Sequence, residues 1–166
     1  GFSVFRKDRN DGWGGVLVAV KNHISAHKIE IKTEAEAVFV KIDSSQCPLS
    51  VGAMYRTPSN TSPEQITQLM DCLREINSDD VVWIGGDFNL PDIDWKHEKI
   101  TGHQNSTLTN ETFIENIRDY GLTQANHLPT RKHNVLDLFL TNRPSLVTNC
   151  NTIPGLSDHD VVTVEN

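Results

Sequence analysis

The sequence predicts an α/β layered sandwich, because β-like runs are interleaved along the chain with two segments whose apolar residues recur at helical spacing. That pattern leaves the order of the strands open. With 166 residues, 37% of them hydrophobic, the chain fits one domain with room for a real core, and residues 1–166 are taken as that unit.

The clearest early strand is Val16-Leu17-Val18-Ala19-Val20, entered through the turn-like Asp11-Gly12-Trp13-Gly14-Gly15. Being apolar on both faces, it is expected to be central in a sheet. Val38, Val40 and Ile42 then alternate with Phe39 and Lys41, and Leu49 to Tyr55 follow a polar turn containing Pro48, which predicts two adjacent strands. A helix is predicted from Ser62-Pro63-Glu64-Gln65, with Ser62 as cap, Pro63 in the first turn and Gln65 closing a capping box. Ile66, Leu69, Met70, Leu73 and Ile76 form its apolar stripe. Val81 to Ile84 read as a buried strand, and Thr109 to Tyr120 as a second helix ended by Gly121. Residues 90–108 lack periodicity and read as a long loop beside the candidate site. The β pattern returns at Val135 to Thr141 and Val161 to Val164.

Charge and cysteine content narrow the function classes. A formal net charge of −7 argues against nucleic-acid binding through clustered Lys and Arg, yet it leaves room for a carboxylate-lined metal site, where the cation supplies the positive charge. Cys47, Cys72 and Cys150 are far apart and lack CxxC spacing, which points to a reducing compartment. No apolar run is long enough to span a membrane and no secretory pattern opens the chain, so an intracellular protein without a membrane partner is expected.

The most informative stretch is Val81-Val82-Trp83-Ile84-Gly85-Gly86-Asp87-Phe88-Asn89, an apolar strand that delivers an acid and an amide to its end through two glycines. Asp87 and Asn89 share a face by strand periodicity. Together with Ser157-Asp158-His159-Asp160 they suggest a divalent-metal phosphodiesterase: Asp87 and Asp158 as metal ligands or orienters, Asn89 on a phosphate oxygen or the attacking water, His159 on the phosphate or as a proton acceptor. Asp137 interrupts an apolar strand, where a lone carboxylate is costly, and His159 is its obvious partner. Tyr55 and Arg56 end another apolar strand and would bring a phenol and a guanidinium to the same rim; Arg131 is a candidate backbone contact.

Plainer readings exist for each. Asp87 after Gly-Gly can be a turn acid, Ser157-Asp158-His159 a turn cap, and Tyr55 a packed strand tyrosine. Ser157, Asp158 and His159 are adjacent and so do not form a nucleophilic triad. His23 and His27 are four apart in an extended segment, which argues against a helical zinc pair. Trp95 reads as a loop anchor rather than a base-stacking platform.

Taken in order, Gly14-Gly15-Val16-Leu17-Val18-Ala19-Val20, Tyr55-Arg56-Thr57-Pro58, Gly85-Gly86-Asp87-Phe88-Asn89-Leu90-Pro91-Asp92-Ile93-Asp94-Trp95, Thr130-Arg131, Leu136-Asp137-Leu138 and Gly155-Leu156-Ser157-Asp158-His159-Asp160 resemble the endonuclease/exonuclease/phosphatase superfamily. Within it the blocks look most like the endonuclease domain of non-LTR (LINE, Jockey-like) retrotransposons. The resemblance implies a deoxyribonuclease-I-like fold, two packed β-sheets flanked by helices, and Mg²⁺-dependent nicking of DNA, with Mn²⁺ as an alternative ion. It also implies that Asp87 and Asn89 hold water and phosphate, that Asp158 binds metal, that His159 contacts the phosphate with Asp137 behind it, and that Tyr55 lies at the rim. A reverse transcriptase domain in the same polyprotein and access to the nucleus follow from the same likeness.

The chain departs from the family pattern at its start. The family's Asn strand and its metal-binding Glu strand have no counterpart, since Glu30, Glu34 and Glu36 fall in the wrong place relative to Gly14-Gly15. A domain partial at its N-terminus and lacking the first family strands is therefore expected. Whether it is an enzyme stays open. The alternatives are an inactive remnant that binds DNA or a partner, and a phosphatase of the same fold acting on another phosphoester. The oligomeric state is not readable from the sequence.

Overall fold

The chain alternates strands and helices in the order β1 (Phe2–Asp8), β2 (Gly15–Lys21), β3 (Ala26–Ile29), β4 (Glu36–Ile42), β5 (Leu49–Tyr55), α1 (Pro63–Asp71), β6 (Val81–Asp87), β7 (Ile93–Asp94), β8 (Lys99–Ile100), α2 (Thr107–Asp119), β9 (Thr123–Gln124), β10 (Asp137–Thr141), β11 (Asn149–Ile153) and β12 (Val161–Glu165). The computed structural model describes residues 1–43, 47–59 and 61–166, so the turn before Pro48 lies partly outside the described residues.

Six strands form the central sheet in the order β3-β4-β5-β6-β10-β9. All its described pairs are antiparallel except β5 with β6, which run parallel because α1 carries the chain back across the sheet. One face packs on the helices. Ala37, Phe39, Met54, Ile84, Leu138 and Leu140 meet Ile66, Leu69, Met70, Phe113 and Ile117 in a single buried cluster. The apolar stripes of both helices are thus spent against the sheet, as helical periodicity requires. Over the opposite face lie two antiparallel hairpins, β1-β2 across β4 and β5, and β11-β12 beside β10. The result is the α/β layered sandwich of the deoxyribonuclease-I type. No helix among the described residues is long and apolar enough to cross a membrane.

Three expectations change. β2 is not central: among the described residues it pairs only with β1, and Leu17 is 57% exposed. Its register explains the double apolar pattern, for Val16, Val18 and Val20 are more sheltered while Leu17 and Ala19 face the other way. At α1 the capping box does not form. The Ser62 hydroxyl donates to the Glu64 carboxylate, a charged acceptor two residues on, and makes no side-chain cap bond. At α2 the helix starts two residues early, because Ser106 rather than a later residue caps it, its oxygen accepting the Thr109 N–H at 3.0 Å.

Residues 90–106 are more ordered than a bare loop. Asp92, 1% exposed, accepts from the N–H groups of Gln104 (2.8 Å) and Asn105 (2.6 Å) and from Asn110 Nδ2 (3.0 Å), tying both ends of the excursion to α2. Burial pushes its carboxyl up, but these donors outweigh burial and hold it below the usual carboxylate range. Trp95 is buried with its ring edge-on to Phe113 at 6.0 Å, an anchor as expected.

Candidate active site

Register across the central sheet assembles the site. Asp137 on β10 lies directly opposite Asp87 on β6, and Tyr55 on β5 lies opposite Asp87 on the other side. Glu36 on β4 extends the same row beyond Tyr55. In-register neighbours present their side chains to one face, roughly 4.8 Å apart from strand to strand, so four chemistry-bearing groups line up on the face that carries the hairpins. Gly86 makes the row possible. A β-carbon there would strike the carbonyl oxygen of Met54 on the adjoining strand.

His159 arrives from the loop between β11 and β12, and its Nδ1 lies 2.7 Å from Asp137 Oδ2. One ligand atom from each of Asp87, Asp137 and His159 lies within 4.8 Å of the other two. Thr130 holds the two halves of this cluster together. Its hydroxyl oxygen accepts the N–H groups of Leu136 and Asp137, both at 3.1 Å, while its carbonyl accepts the Asp160 N–H at 2.7 Å. From the buried Asn126, Nδ2 adds a bond to the Asp137 carbonyl at 2.9 Å. The sequence signalled Thr130 only as part of a motif block and Asn126 not at all. Both are polar residues in apolar surroundings that must satisfy backbone groups, a demand visible only once the fold is known.

Burial raises the Asp87 carboxyl above its ordinary range, and the neighbouring Asp137 charge pushes it the same way; the Asn89 N–H (3.0 Å) and His159 oppose the rise. Two carboxylates this close favour a positive charge between them. Asn89 has φ 48°, a left-handed turn that lets its N–H reach back to Asp87 while Nδ2 donates to the Arg56 carbonyl at 2.8 Å.

Two candidate residues stand differently from the sequence reading. Arg56 is 4% exposed, and its guanidinium donates to the carbonyls of Phe88 (3.3 Å) and Asn89 (3.0 Å) and to Asn105 Oδ1 (2.8 Å). It braces the turn carrying Asn89 from behind instead of meeting solvent at the rim, because Gly86 brings that turn close over β5. Asp158 lies outside the three-ligand group and pairs with Arg131 Nη2 at 2.6 Å, both side chains exposed. Desolvation pushes the Asp158 carboxyl up, but the charge and hydrogen bond of Arg131, with help from His159, bring it below its ordinary range. Beside the cluster, Asn89, Gln104, Arg131, Lys132 and Asn134 line an open cavity of about 280 Å³.

A family model described as endonuclease-reverse transcriptase matches residues 49–163. No curated protein matches the chain in sequence. Among solved structures, the endonuclease domain of TRAS1, a telomere-specific non-LTR retrotransposon, superposes with a TM-score of 0.77 at 15% identity, covering 99% of this chain and 79% of that one. An endonuclease/exonuclease/phosphatase family protein from Leptotrichia buccalis C-1013-b gives 0.64 at 15% identity, covering 100% and 72%. TDP2 from D. rerio, complexed with single-strand DNA product, gives 0.60 at 11% identity, covering 98% and 76%.

Proposed function

Since the chain belongs to the endonuclease-reverse transcriptase family, we propose that it is a phosphodiesterase that nicks DNA with the help of Mg²⁺ or Mn²⁺. The observation that carries this reading is the convergence of Asp87, Asp137 and His159, three residues from distant parts of the chain, on one point of the sheet face.

The two carboxyls of this group fit a hard divalent cation, which would relieve their mutual repulsion, and the third member is the His159 imidazole. Asp87 would hold it, joined by Asp158 once Arg131 turns to the phosphate backbone. When bound, such an ion neutralises phosphate oxygens and eases deprotonation of a water. The chain's own groups divide the remaining work. Asp137 occupies His159 Nδ1 and so orients the imidazole, leaving Nε2 to meet a phosphate oxygen or a proton. Asn89, pinned by Arg56 and Asp87, holds the water or phosphate, and Tyr55 borders the site. Within a retroelement the nick would prime a reverse transcriptase carried in the same polyprotein, which requires access to the nucleus.

A second reading is favoured by the ligand set. Among the described residues no glutamate joins the three-ligand group, and Glu36 is held by Arg9 at 2.7 Å. The two hairpins stand as separate two-stranded sheets, and a β-carbon on Gly85 between them would meet only open space. We infer, on this second reading, that residues 1–166 bind DNA without cutting it.

Supercoiled plasmid separates the readings. On the first reading the protein is expected to yield open circles with Mg²⁺, and none with chelator or with His159→Ala. Absence of nicking with every divalent metal would leave only the binding reading, which requires residues 1–166 to retard DNA.

A further inference from the structure

At the far end of the row that contains Asp87 and Asp137 stands a group with no role in the reading above. Arg9, in the turn between β1 and β2, reaches across to the central sheet. Its Nε donates to Glu36 Oε1 at 2.7 Å, and its guanidinium carbon lies 4.7 Å from the centre of the Tyr55 ring. Glu36 and Tyr55 are cross-strand partners, and Tyr55 is the partner of Asp87. The turn is shaped around this arginine: Gly14 has φ 84°, and a β-carbon on it would press within 3.2 Å of the Arg9 guanidinium. Both members of the ion pair are largely shielded, with side chains 32% and 20% exposed. By contrast Arg6, on β1, pairs locally with Asp8 on the open surface.

A guanidinium stacked on an aromatic face restricts that ring, and a carboxylate that holds the guanidinium strengthens the restriction. We propose that Arg9 and Glu36 are positioning residues: Glu36 anchors Arg9, and Arg9 clamps the Tyr55 ring at the edge of the Asp87–Asp137–His159 cluster. The hairpin thereby contributes to the site without touching the reacting phosphate. This rests on the phosphodiesterase reading only for its effect on rate, because the clamp itself has an independent readout.

The chain has two tyrosines, Tyr55 and Tyr120, so Tyr120→Phe leaves Tyr55 as the sole source of tyrosine ring signals in an NMR spectrum. In that background Arg9→Ala and Glu36→Gln are expected to move the Tyr55 ring signals in the same direction, while Arg6→Ala leaves them in place. Unmoved signals in a folded Glu36→Gln protein would overturn the clamp, and using both variants guards against one that does not fold. With plasmid as substrate, Arg9→Ala is expected to lower kcat roughly 10- to 100-fold with KM little changed, Arg9→Lys to recover part of it, and Arg9→Ala to cost nothing further in a Tyr55→Phe background. An equal loss in both backgrounds overturns the route through Tyr55. If the parent protein cuts nothing, the phosphodiesterase reading fails, while the ring signals still decide the clamp.

Discussion

His159 Nδ1 lies 2.7 Å from Asp137 Oδ2 across a gap of 22 residues, and neither group makes sense alone. Asp137 opens a strand whose other members, Leu138 to Thr141, are buried, so its charge needs a partner. The imidazole needs a fixed tautomer to act in a single direction. Asp137→Asn is therefore expected to lower plasmid nicking by roughly 10²- to 10⁴-fold while the protein stays folded, as followed by initial rates beside a thermal melt. Unchanged rates would remove His159 orientation from the mechanism.

Thr130 stitches that pair into the backbone. Thr130→Val keeps shape but leaves two N–H groups, those of Leu136 and Asp137, without their acceptor. Urea unfolding should show a loss of about 1–3 kcal/mol. Thr130→Ser, which keeps the oxygen, should lose much less. A loss in Thr130→Ser with none in Thr130→Val would mean that the methyl group, not the hydroxyl, matters.

Two aspartates near the site are expected to give opposite pH dependences. Burial and Asp137 raise Asp87, so in metal-free protein its contribution to stability is present below its unfolded pKa and is lost as pH rises through the folded value. Asp92, held down by its hydrogen-bond donors, contributes stability above its unfolded pKa that is lost as pH falls through the folded one. In chelator, Asp87→Asn should be more stable than the parent at neutral pH and should flatten its decline. Asp92→Ala should be less stable at neutral pH by about 1.5–3 kcal/mol, with the difference shrinking in acid. Denaturant midpoints from pH 3 to 8, on the order of the carboxylate range, test both signs.

Arg131 pairs with Asp158 where both are open to solvent, so Arg131→Ala should change stability by less than about 1 kcal/mol. Its effect belongs in binding. Weaker retention of DNA, with a salt dependence lower by about one counterion, is expected from fluorescence anisotropy across a salt series. An unchanged slope would place Arg131 off the DNA path.

Local sequence determined a good deal of this. Helical stripes at Ile66-Leu69-Met70 and Phe113-Ile117, alternation in β4, and Gly86 before Asp87 are each written in a few neighbouring residues, because periodicity and backbone freedom act over one or two turns of chain. The partner of Asp137 was also legible, since a carboxylate within an apolar run must find a counter-group. Tertiary structure alone decided the rest. Whether Arg56 faced solvent or the back of the Asn89 turn, whether Asp158 met Asp87 or Arg131, and that Glu36 joined Tyr55, Asp87 and Asp137 in one row depended on strand register and on loops closing over one another. Charged groups choose partners by distance in space, and distance is set by sheet order, which no single segment encodes.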